Sequence, residues 1–130
     1  MCWSNYMAIL IVLKKPLKVY KVGASTICDN FISLFRGYVY HKCQVMPTVE
    51  INPIFIRHYP TIRLLSWQND NFHIYKGYHS YLTEEMAKCN KDEIDDIGIF
   101  EIPAGATIYV NYKLKEVVST DIKYLGLLEE

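Results

Sequence analysis

Apolar residues fall mostly in short runs and strict alternations separated by polar or proline punctuation, with only two stretches at helical spacing. The first run, MAILIVL (7–13), is continuous and rich in branched residues, which fits a strand covered on both faces. Pro16 ends it. LKVYKV then alternates, with Leu17, Val19 and Lys21 on one face and Lys18, Tyr20 and Val22 on the other, and Gly23 closes it. These two segments are expected to pair as a hairpin across KKP. ASTICDNFISLF (24–35) fits a helix through Ile27, Phe31 and Leu34, or a strand or irregular turn of branched and aromatic residues, so these readings all stand. FRGYVYHKCQVM (35–46) alternates as an edge strand up to Pro47, and short strands are expected at IFIRHY (54–59) and TIRLLSW (61–67), with a turn at QNDN.

The second helical stretch is TEEMAKCNKDEIDD (83–96). Thr83 is suited to the N-cap, Glu84 and Glu85 to the positive end of the dipole, and Leu82, Met86 and Cys89 to one apolar face. Asn90 is expected in a left-handed C-terminal turn. Strands follow at IGIFEI and TIYVNY around a PAGA turn, and EVVSTDIKYLGLL supplies one or two more. Too few helices are available for parallel crossovers. The expected fold is therefore a single α+β domain over residues 1–130, a mainly antiparallel sheet of about six to eight strands with one or two short helices. Residues 1–6 are expected to be an unordered extension.

Composition narrows the function. At 130 residues, 51 % hydrophobic and 14 % aromatic, the chain has material for one core. Fourteen basic and fourteen acidic residues cancel, so no global field draws in nucleic acid or an anionic membrane. Cys2, Cys28, Cys43 and Cys89 form no CxxC pair, the pattern of reduced thiols rather than of a metal ribbon or a disulfide scaffold. The apolar run near the N-terminus lacks a preceding basic residue, is followed by Lys14 and Lys15, and is too short to span a bilayer. A leaderless cytoplasmic protein is expected.

Candidate chemistry is sparse. His41 and Cys43 at i and i+2 would make half of a metal site, but no spacing supplies the other half, and ordinary strand side chains explain them better; no metal and no cofactor are expected. Neither GxGxxG nor GxxxxGK[ST] occurs, which removes the common phosphate cradles. Asp95 and Asp96 sit in a polar run without the apolar enclosure that separates the acidities of a catalytic pair. The tyrosines at i and i+2 in YVY and IYVNY could stack bases, yet tyrosine at such positions is ordinary sheet packing.

The densest cluster is NFHIYKGYHSYLT (71–83), where a strand exit, a bend at Gly77 and a capped helix account for nearly every residue. FRGYVY, KGYHSYLTEEMAK, IGIFEIPAGATIYVN and EVVSTDIKYLG, in that order, resemble a family of short uncharacterised bacterial and phage proteins with an aromatic-Gly-aromatic-His-Ser motif. That resemblance implies a phage or prophage setting and a small accessory or counter-defence protein. More distantly the chain resembles the ADP-ribosyltransferase fold with a degraded active site: FRGY would supply Arg36, GYHSY would supply Ser80 beside His79, and IFEIPAGATIYV would supply the turn around Pro103 and Gly105. The acid expected near Ile99 is missing, and Glu101, two residues later on the same strand face, is a poor substitute.

The expectation is a small non-enzymatic binding or interaction protein of bacterial or phage origin, with no catalytic residues, a counter-defence inhibitor acting by protein–protein contact being one form it can take. A nucleotide- or NAD-binding, catalytically degenerate transferase relative is the alternative. The binding site is expected where FRGY and GYHS approach one another: Arg36 for an anion, Tyr38 and Tyr78 for stacking, His79 and Ser80 for hydrogen bonds. Unpaired sheet edges and zero net charge also allow homo-oligomers.

Overall fold

A computed structural model of the chain describes residues 2–4, 8–26, 28–34, 38–51, 53–56, 71–74, 77–112 and 114–128. The strands are β1 (Cys2–Ser4), β2 (Ala8–Val12), β3 (Leu17–Ser25), β4 (Asn30–Ser33), β5 (Val39–His41), β6 (Pro53–Ile56), β7 (Asn71–Ile74) and β8 (Tyr78–Tyr81). After helix α1 (Glu84–Cys89) come β9 (Asp96–Ile102), β10 (Thr107–Asn111), β11 (Glu116–Ser119) and β12 (Lys123–Leu127). The described chain is thus mostly antiparallel β, with one short helix; strands outnumber the six to eight expected, which weakens the helical half of an α+β label. At 24–34 the structure takes the strand alternative: the ambiguous segment extends β3 and forms β4. Phe31 and Ser33 turn inward at every second position there, a period of two and not of 3.6. The expected strand at 61–67 lies outside the described residues.

Nine strands form one sheet in the order β12-β9-β3-β8-β11-β10-β2, with β4 and β5 branching from β3. A second, three-stranded sheet runs β1-β7-β6, so Cys2–Ser4 is a strand paired to Asn71–Ile74 rather than an extension. The expected hairpin between β2 and β3 is not formed. β2 pairs instead with β10, from Val12 opposite Thr107 to Ala8 opposite Asn111, and Leu13 and Ala106 continue that ladder through a 2.9 Å bond.

Five strands close into a ring. β12, β9, β3, β4 and β5 pair in series, and the chain just after β5 returns to β12, where Cys43 N donates to Tyr124 O at 2.7 Å and Met46 N to Ile122 O at 2.9 Å. Aromatic side chains fill it: Phe100 lies 4.9 Å from Tyr40, 5.0 Å from Tyr124 and 5.4 Å from Phe31 between ring centroids. Edge-to-face and tilted pairs of this kind add to the area they bury. Space for Phe31 comes from Gly23, where a Cβ would stand 2.1 Å from Ile32 O and 2.7 Å from the Phe31 ring. The same core continues under β10 and β11 through Ile108, Val110 and Val117, while the opposite face packs Val22 and Ile97 against Ala87 of α1.

The helix begins as expected, with Met86 N donating to Thr83 Oγ1 at 3.2 Å. Its apolar contact differs: Ala87 is the fully buried residue and Cys89 is exposed. Asn90 is not left-handed either. It sits at φ −108° and donates through Nδ2 to Met86 O at 2.8 Å, capping the carbonyl with its side chain. Among the described residues no helix is long and apolar enough to cross a membrane.

Candidate functional site

β3 is nine residues long and serves two partners in turn along one edge. β8 pairs with it only at Tyr20 opposite Tyr81, and β4 takes over at Gly23 opposite Ser33. Between these points β8 and β4 diverge, leaving Lys21 and Val22 at the base of a fork, while the other edge of β3 stays paired to β9 through Gly98 and Ile97. A pocket of about 100 Å³ occupies the fork, with Lys21, Val22, Ser33, Leu34, His79, Ser80 and Tyr81 around it and Asn90 from the end of α1 at its rim.

Lys21 follows Leu17 and Val19 on the inward face, so alternation drives an ammonium-bearing side chain into the core side of the sheet. It is 4 % exposed. Nζ donates to His79 O on β8, a cross-strand bond that substitutes for the ladder lost where the strands part. The Tyr40 and Phe100 rings lie beside it, with centroids 5.2 Å and 5.7 Å from Nζ. Burial disfavours the charged form and pulls the Lys21 amine down from 10.5 to about 7.

Ser80 lies on the same pocket wall, is 2 % exposed, and its Oγ has no hydrogen-bond partner among the described residues. Ser33 and His79 are buried beside it. Leu34, 60 % exposed, forms an apolar lip. Among the described residues the lining contains no carboxylate.

The residues expected to bind divide between this pocket and the core. His79 and Ser80 line the fork, as adjacent residues of β8. Tyr38 and Tyr78 meet at 5.8 Å between centroids, but Tyr78 is buried and donates its hydroxyl to Pro47 O at 2.5 Å, which makes it a core residue rather than a stacking platform. Burial first, and then neighbouring Tyr38, raise the Tyr78 hydroxyl above its ordinary value. Arg36 lies outside the described residues. Glu101, on β9 between Lys18 of β3 and Lys123 of β12 in register, does not line the pocket with Ser80. His41 Nδ1 bonds Asn30 Oδ1 at 2.8 Å, and among the described residues no group of three metal-ligating side chains forms.

Lys21 and Ser33 were not singled out from the sequence as site residues. The available signal was a lysine in the inward register of an otherwise apolar strand face. No protein family, curated protein or solved structure matches this chain.

Proposed function

We propose that this protein is a small binding domain that acts by occupancy and contact rather than by turnover, with the β3–β4–β8 fork as its binding site. The observation that carries the reading is a pocket lined both by the buried polar residues Lys21 and Ser80 and by the exposed apolar Leu34. An exposed apolar residue at a pocket favours docking of a partner surface, and a few buried polar groups within it select one group carried on that surface. The narrower reading, an inhibitor of a partner protein in a phage or prophage setting, rests on the order of motifs around KGYHSYLTEEMAK. A nucleotide carried by a degenerate transferase relative is the second reading, supported by the placement of Ser80 in the pocket and weakened by that of Glu101.

The test pairs binding with product analysis. NAD, ADP-ribose, cyclic nucleotides and short RNA are titrated against the wild type and Leu34→Glu, and thermal stabilisation is recorded with recovery of the added compound. A contact domain returns any stabilising compound unchanged, and its stabilisation weakens in Leu34→Glu, whose exposed site lets the variant fold normally. Release of nicotinamide or covalent transfer would overturn the reading.

A further inference from the structure

The Lys21 ammonium is a cation placed inside a sheet with one hydrogen bond from Nζ, to His79 O, and two aromatic faces for company. An ammonium has three donors, and burying one without an opposite charge is unfavourable unless a partner arrives. Ser80, also buried, lines the same pocket, and its Oγ has no hydrogen-bond partner among the described residues. The lining also carries the polar residues Ser33 and Tyr81, with Asn90 at the rim, and among the described residues no acid. About 100 Å³ is room for one compact polar group, not for a whole nucleotide.

We propose that the fork pocket is an oxyanion site, in which Lys21 Nζ and Ser80 Oγ together hold a carboxylate or phosphate group. This assignment rests on the fork being the binding site. A bound anion supplies the counter-charge that Lys21 lacks and an acceptor for Ser80, so both buried groups gain a partner in one step. A bound anion favours the charged form of Lys21, because an adjacent negative charge raises an amine's pKa and so opposes the lowering by burial. Tyr40 stands beside Lys21 and stays neutral, its hydroxyl being held far above the ordinary tyrosine range by burial and then by Tyr78 and Tyr38.

The experiment titrates sodium acetate and sodium phosphate against sodium chloride at matched ionic strength, following the melting temperature of the wild type, Lys21→Met and Ser80→Ala. The expected result is a saturable rise of roughly 5–10 °C over the chloride control at about a hundredfold excess over Kd. In Lys21→Met the response falls to the chloride baseline, and in Ser80→Ala the apparent Kd weakens about tenfold, the loss of one hydrogen bond to a charged group. No saturable response in the wild type overturns the assignment, as does a response that survives unchanged in either variant. Stabilisation by NAD or ADP-ribose that is equal in the wild type and Lys21→Met, with none from acetate or phosphate, removes the oxyanion site and leaves the binding-domain reading standing. ADP-ribose or phosphate acting only through Lys21 tells a carried phosphate from a free carboxylate.

Discussion

Lys21 sets the pH dependence of stability. Its folded pKa of about 7 lies below the value of 10.5 for a free lysine, so between these values the unfolded chain binds more protons than the folded one. Stability therefore rises with pH across that window, and the charged lysine costs the fold about 5 kcal/mol below it as an order of magnitude. The tyrosines oppose this at the alkaline end: Tyr40, Tyr78, Tyr81 and Tyr124 are all raised, chiefly by burial, so folding keeps their protons and stability falls once unfolded tyrosine ionises, above about pH 10. Urea midpoints measured from pH 6 to 11 are expected to climb to a maximum near pH 9–10, and the climb is expected to flatten in Lys21→Met.

Two further side-chain changes probe the aromatic ring. Tyr40 is fully buried and its hydroxyl has no hydrogen-bond partner among the described residues. Tyr40→Phe removes that unsatisfied group while keeping the ring contacts, and a gain of about 1 kcal/mol is expected in chemical denaturation. Gly23→Ala acts the other way. Its Cβ would meet the Ile32 carbonyl oxygen at 2.1 Å, a backbone atom that cannot swing aside, so β3 and β4 must separate. A loss of about 3 kcal/mol, or failure to fold, is expected.

At the level of elements, local signals were legible and partner choice was not. The alternation of LKVYKV, the Thr83 cap and the PAGA turn each depend on a few neighbouring residues, and all three are present in the structure. Removing the cap by Thr83→Ala should cost about 1 kcal/mol, read as a shift in the urea midpoint with unchanged slope. Pairing of β2 with β10 depends on residues nearly a full chain apart, and no local pattern distinguishes it from a hairpin with β3. The fork was hidden for the same reason: it exists because β8 and β4 take successive portions of one edge of β3, a fact of topology. His79 and Ser80 stood out by residue type. Lys21 read as one more strand lysine until its face proved to be the inward one, and Asn90 kept its capping role while reaching it through a side chain and not a left-handed backbone.

For the whole molecule, the ring and the remainder of the sheet meet at β3 and are held by different means. β10, β11 and β8 are joined by continuous ladders of four paired residues each. The ring closes only through the short return after β5, where Lys42 and Val45 make isolated bridges to Tyr124 and Lys123. Tyr124 is the joint: its carbonyl accepts from Cys43 N, and its ring packs on Phe31 and Phe100. Tyr124→Ala removes that packing and leaves a cavity in the ring, at an expected cost of about 3–5 kcal/mol. Native-state hydrogen exchange tests where the loss falls. If ring closure is the weaker seam, amides of Asn30–Ser33 and Val39–His41 lose protection in the variant well before those of Thr107–Asn111 and Glu116–Ser119. Equal loss across all four strands would instead make the sheet one cooperative unit. The fork would then open only with global unfolding, since its walls at Ser33 and Ser80 belong one to the ring and one to the remaining strands.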